Sequence, residues 1–277
     1  MPKMPNVLIV TTHDSGRFFG CYGVRTVRTP AIDRLAREGV TFDRMYAASP
    51  ICSPSRGALL TGRYPLSNGL VGLAGGRWNW SLTRPGEHLS HRLREMGYRT
   101  AMFGLQHETR DITTLGFDEH ASHGVKRDGQ ERSAVAIAEA AAAFIEGGHD
   151  RPFYAQVGFF ETHTPYAFGG SEADDAAGVW MPPHARTHAW PAWATLLNRF
   201  GGDEAFARQH LAELQGAIHR VDQGVETVLA ALDRAGLTED TIVLFNTDHG
   251  PELPGAKWTM YEAGLGIAFV MRYPGGD

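Results

Sequence analysis

The chain has 277 residues, 43% of them hydrophobic and 21% charged, which suits a globular protein with one large core and leaves no room for a disordered or fibrous reading. A net charge of -5 with no block of like charge argues against a nucleic-acid surface, and no apolar run approaches the ~20 residues of a membrane span. Neither a nucleic-acid nor a membrane partner is expected. Residues 1–5 are too short for a signal peptide, so the expected compartment is the cytoplasm, or a secreted or periplasmic one if a segment precedes them.

In chain order, residues 6–12 form a short Val/Leu/Ile run that reads as a buried strand. Residues 30–38 have helical spacing after Thr29-Pro30 and stop at Gly39. Residues 88–96 read as a helix closed by Gly97, which leads directly into a strand over 98–103. An Ala-rich helix is expected over 130–145, then a strand over 153–160, and a long helix over 204–234 with breaks at Gly216 or Gly224. Strands over 241–247 and 267–272 close the chain. Residues 168–198, with scattered Pro, Trp and Gly, read as an irregular insertion able to wall a cleft. This rhythm predicts an α/β fold, a mostly parallel sheet with helices on both faces.

Ligands of such sheets collect beyond the carboxyl ends of the strands. Asp14, His107, His163 and the pair Asp248-His249 each follow a predicted strand. One such residue is more often a turn former or a cap, but several converging on one edge point to a site. The most specific signal is Cys52-Ser53-Pro54-Ser55-Arg56, a pattern expected by chance about once in a thousand chains of this length. Pro54 suits a first helical turn, with Cys52 or Ser53 at the cap. Residue 52 then lies at the positive end of a helix, where backbone donors favour an anion, and Arg56 one turn inside can point back to it. Pairing Cys52 with Cys21, the second cysteine, would consume this group, so both are expected free.

These residues, with Gly57-Ala58-Leu59-Leu60-Thr61-Gly62-Arg63, resemble the signature of type I sulfatases of the alkaline phosphatase superfamily, and the resemblance runs along nearly the whole chain. Ser67-Asn68-Gly69, Gly72-Leu73, and Pro254-Gly255-Ala256-Lys257 into Thr259-Met260-Tyr261 look most like the heparan N-sulfatase (sulfamidase) group. The resemblance implies an alkaline-phosphatase-like fold and oxidation of Cys52 to formylglycine by a formylglycine-generating enzyme. It implies one divalent cation, Ca²⁺ with Mg²⁺ or Mn²⁺ as alternatives, at His13, Asp14, Cys52, Asp248 and His249. Arg56, His107, His163 and Lys257 would bind sulfate and move protons. The hydrated aldehyde would attack sulfur, with His163 protonating the alcohol or amine that leaves and His107 taking the proton whose loss expels sulfate. The implied substrate is a small sulfated molecule, a sugar sulfate ester or N-sulfate.

Two departures stand out. The family's acidic pair reads His13-Asp14, and its Gly-Lys-x-His reads Gly104-Leu105-Gln106-His107, so one carboxylate and one cation are lost together and the charge is expected to balance. The lost lysine favours the alternative of a phosphonate monoester or phosphodiester hydrolase. Family members are longer, so residues 1–277 are expected to be a truncated N-terminal catalytic domain with exposed apolar sheet surface, the third alternative being an inactive fragment. Trp78, Trp80, Trp190 and Trp193 could stack on sugars or anchor loops, and His219 and Asp222 on the long helix read as packing or salt-bridging residues.

Overall fold

A computed structural model describes residues 4–123, 133–166 and 204–274, with the side chains of 122–123 and 204–208 excepted. The expected insertion at 168–198, with Trp190 and Trp193, and the first residues of the 130–145 helix lie outside the described residues. Seven strands, β1 (Asn6–Thr12), β2 (Val40–Thr41), β3 (Arg99–Leu105), β4 (Glu119–His123), β5 (Phe153–Gly158), β6 (Thr241–Thr247) and β7 (Phe269–Arg272), form one sheet. Their order is β2-β7-β6-β1-β5-β3-β4. The helices are α1 (Pro30–Glu38), α2 (Cys52–Thr61), α3 (Pro65–Asn68), α4 (Leu89–Glu95), α5 (Ala134–Glu146), α6 (Glu204–Arg234) and α7 (Glu262–Leu265).

From β6 through β4 every pairing is parallel, whereas β7 runs antiparallel to β6 and β2 antiparallel to β7. The mostly parallel sheet is therefore present, with an antiparallel edge. Alternation along β1 shows why helices cover both faces. Leu8 and Val10 enter the large core with Ile32 and Leu35 of α1, Ile137 of α5 and Val221 of α6. Val7 and Ile9 point the other way, onto Leu59 and Leu60 of α2 and Leu89 and Leu93 of α4.

Two sequence expectations need correction. The long helix α6 runs unbroken through Gly216 and Gly224; at Gly224 the helix packs closely on the core, where a Cβ would lie 2.8 Å from Phe159. The strand β4 carries no Val/Ile run and was not foreseen; it forms by pairing residue for residue with β3. Asp222 has a structural task, its two carboxylate oxygens accepting the N–H groups of Ala31 and Ile32 at the start of α1, while His219 bonds the Arg28 carbonyl. Exposed Val40, Phe42 and Tyr46 line the β2 edge.

Parallel pairing puts the carboxyl ends of β6, β1, β5 and β3 side by side. The residues after those strands are 248–249, 13–14, 159–163 and 106–108, so chain positions far apart meet at one edge. At that edge Gly104 lies directly across from Gly158, and a Cβ on either would fall within 2.3 Å of a carbonyl oxygen of the opposite strand. Only glycine permits this approach, and Gly104 also has a φ of +77°.

Candidate active site

Helix α2 drives its N-terminus into this edge. Ile51 stands at the cap and Cys52 is the first helical residue, so the cap expected at Cys52 or Ser53 is displaced by one position. The reason is that Ser53 has another partner: its hydroxyl accepts the Ala74 N–H at 3.0 Å. Residues 52–58 are all buried, which is unusual for a helix start and follows from its insertion among the strand ends.

Cys52 is 2% exposed. Its sulfur lies 3.3 Å from His249 Nε2, and His107 is a further hydrogen-bonding partner. Burial pushes the thiol up, but His13, His249 and His107 outweigh it and hold the group well below the usual thiol range. The thiol occupies the position that the oxygens of an aldehyde hydrate would take after conversion.

Around it, Asp14, held at a φ of +42°, is fully buried. Its Oδ1 meets His13 Nδ1 at 2.6 Å and His249 Nε2 at 3.0 Å, and its Oδ2 meets Lys257 Nζ at 2.6 Å. Asp248 Oδ2 accepts from Arg56 Nε at 3.0 Å and lies 3.5 Å from His13 Nδ1; Asp248 Oδ1 accepts the Asp14 N–H. Burial would raise both carboxyls, yet the surrounding cations keep both well below the usual range. The same carboxylates act in reverse on His13: burial lowers it, and Asp14 and Asp248 carry it up to about 9.

One ligand atom from each of His13, Asp14, Cys52, Asp248 and His249 fits within a span of 4.8 Å. His249 Nδ1 donates to the Gly250 carbonyl at 2.8 Å, which directs Nε2 toward Asp14 and Cys52; burial lowers the imidazole's pKa, but Asp248 and Asp14 carry it well above the usual range, so Nε2 holds a proton whose place a cation would take. A bond of this kind, from the ring nitrogen that faces away from the ion, is what metal-binding imidazoles use to fix their orientation. His13 Nε2 is buried without a partner. Two buried carboxylates, a fixed imidazole and a second imidazole fit a divalent cation.

His163 sits on the open side, 18% exposed and stacked on Phe160 with ring centroids 5.1 Å apart. Its Nδ1 donates to the Thr164 carbonyl, so Nε2 faces the site, 3.9 Å from Asp14 Oδ2. Burial lowers its pKa, reinforced by His13 and opposed by Asp14. The structure thus brings together Cys52, Arg56, His107, His163, Lys257, His13, Asp14, Asp248 and His249.

Residues 5–277 match the family described as Sulfatase. The chain belongs to the sulfatase family. It is 26% identical over 309 residues to an ulvan-active sulfatase of Formosa agariphila, covering 99% of this chain and 48% of that protein. It is 28% identical over 282 residues to human N-sulphoglucosamine sulphohydrolase, covering 97% and 55%. A solved structure from Bacteroides fragilis, provisionally assigned as a sulfatase, superposes with a TM-score of 0.80 at 23% identity, over 98% of this chain and 68% of that one; this likeness concerns the fold. The chain spans about half the length of the curated relatives it matches.

Two carboxylates at this site are not singled out by the sequence. Glu252 accepts a hydrogen bond from Thr164, 2.5 Å away, and lies 3.5 Å from Lys257 Nζ, at the mouth. Glu108, directly after His107, is fully buried. Position alone could have flagged both, since each lies within four residues of a strand-end candidate; nothing in their residue type did.

Proposed function

We propose that this chain is a formylglycine-dependent sulfatase that hydrolyses sulfate esters or N-sulfate (sulfamate) groups, to be sought first on sugars because the ulvan-active sulfatase and the N-sulphoglucosamine sulphohydrolase are named for such substrates. The observation that carries the reading is the placement of Cys52 at the first turn of α2, with His249 Nε2 at 3.3 Å, inside a cluster of metal-ligating groups.

Asp14, Asp248 and His249, with His13 beside them, are the residues to hold a divalent cation. The two carboxylates favour Ca²⁺, with Mg²⁺ or Mn²⁺ as alternatives. Such an ion supplies Lewis-acid polarisation of a sulfate oxygen and lowers the pKa of a hydroxyl at residue 52. Arg56 and Lys257 are fixed in place by Asp248 and Asp14, so their charge is preorganised for an anion and costs no rearrangement when one arrives. His163, with Nδ1 committed to Thr164, can exchange a proton only through Nε2, which faces the open side where a leaving oxygen or nitrogen would emerge. His107 contacts residue 52 and is placed to take a proton from it.

The test is mass spectrometry of the Cys52 peptide from protein co-expressed with a formylglycine-generating enzyme. Conversion lowers the mass by about 18 Da. A peptide that stays a thiol, together with no turnover of aryl sulfates, overturns the reading. Leu105 at the end of β3, where the family pattern has lysine, favours a phosphonate monoester or phosphodiester hydrolase as the second reading, and relative turnover of aryl sulfate and phosphonate esters separates the two.

A further inference from the structure

The balance of charge around Cys52 includes a group that neither the cation site nor the proton-transfer residues use. Glu108 is fully buried at the end of β3. One carboxylate oxygen, Oε2, accepts the His107 N–H at 3.1 Å. The other, Oε1, is buried with no hydrogen-bond partner. Arg56 mirrors it: Nε is spent on Asp248, while Nη2 is buried without a partner. The two charges lie in each other's field, yet no ion pair within 4.0 Å joins them among the described residues. Burial pushes the Glu108 carboxyl up, and Arg56 opposes that rise.

A buried carboxylate oxygen with no partner is costly. Its one hydrogen bond, to a neighbouring amide, could be accepted equally well by a neutral glutamine. What glutamine cannot supply is the negative charge. The fixed charges are Arg56 and Lys257 against Asp14, Asp248 and Glu108; with residue 52 uncharged, as an aldehyde hydrate is, and a divalent cation in place of the protons on His13 and His249, one positive charge remains. Without Glu108 two would remain. A sulfate ester or sulfamate carries one negative charge, and the sulfate ion released from it carries two.

We propose that Glu108 is a specificity residue that matches the site to a singly charged substrate and weakens its hold on doubly charged anions, the sulfate product included. This rests on the sulfatase reading above. Glu108 acts through the field and does not touch the reacting atoms. It also changes the balance expected from sequence, in which the loss of a carboxylate at 13 and of a lysine at 105 cancel: the buried carboxylate at 108 shifts the site one unit further negative.

The experiment is calorimetric binding of methyl sulfate, a monoanion, and inorganic sulfate, a dianion, to the full chain carrying Cys52→Ser, whose residue 52 bears no charge, in Ca²⁺ and again in EDTA. Parent, Glu108→Gln and Leu105→Lys are compared. Glu108→Gln keeps a carbonyl for the His107 N–H, and Leu105→Lys adds a cation to the same strand end with Glu108 intact, so the second variant answers if the first does not fold. A unit charge acting across roughly 10 Å at an effective dielectric of about 20 corresponds to about a tenfold preference. Each variant is expected to tighten sulfate by about tenfold more than methyl sulfate. Equal changes for both anions, or none, overturn this inference and leave the sulfatase reading standing. A parent that binds neither anion overturns both.

Discussion

Lys257→Met tests whether Asp14 is shared between a fixed cation and a bound one. Lys257 Nζ lies 2.6 Å from Asp14 Oδ2, with the two side chains 5% and 0% exposed. Removing one partner of a buried pair leaves the other uncompensated, which costs ~3–5 kcal/mol. His13 Nδ1 and His249 Nε2 still touch Asp14 Oδ1, so the lower end, about 3 kcal/mol, is expected in the metal-free protein. A divalent cation at Asp14 neutralises the same carboxylate, and the cost should then shrink to about 1 kcal/mol. The thermodynamic cycle requires the difference, about 2 kcal/mol, to appear as metal affinity, so the variant should bind Ca²⁺ roughly 30-fold more tightly than the parent. Urea melts in EDTA and in saturating Ca²⁺, with direct Ca²⁺ titration of both proteins, measure all three quantities. An equal loss of stability in both buffers, or an unchanged metal affinity, refutes the reasoning.

Asp222→Ala removes the carboxylate that caps α1 and should cost about 1–2 kcal/mol at neutral pH without altering Ca²⁺ binding. Burial raises Asp222 to about 6 against the pull of the Ile32 and Ala31 N–H groups. The folded chain therefore takes up this proton before the unfolded one does, and the stability tied to it is present near pH 4 and lost as pH rises through 6. The penalty for Asp222→Ala should consequently be larger at pH 4 than at pH 7, and a penalty that grows toward neutral pH contradicts the assignment. Gly250→Ala should prevent folding or cost more than about 3 kcal/mol, because the new Cβ would lie 1.8 Å from the Ala263 carbonyl oxygen beside His249. A normal thermal melt for that variant would show that the 249–250 and 263–264 segments separate easily.

Much of the architecture and the site was legible because it depends on local pattern. Strand β1, helix α1 and strand β6 appear where their hydrophobic periods and the Thr29-Pro30 start put them. Cys52, Asp14 and His249 could be named from motif and strand-end position alone, since a parallel sheet gathers its strand ends at one edge. Three features were decided only by tertiary contact. Strand β4, without β-branched residues, exists through its pairing with β3, and α6 tolerates Gly224 because Phe159 needs that space. Glu108 reads in sequence as an ordinary charged residue; it gains meaning from burial beside an arginine 52 positions earlier in the chain, whose own charge is divided between two carboxylates. Periodicity and motifs encode which residues face inward and which chemistry is available. The field a charge feels depends on how far it lies from water and from every other charge, and only the folded chain sets those distances.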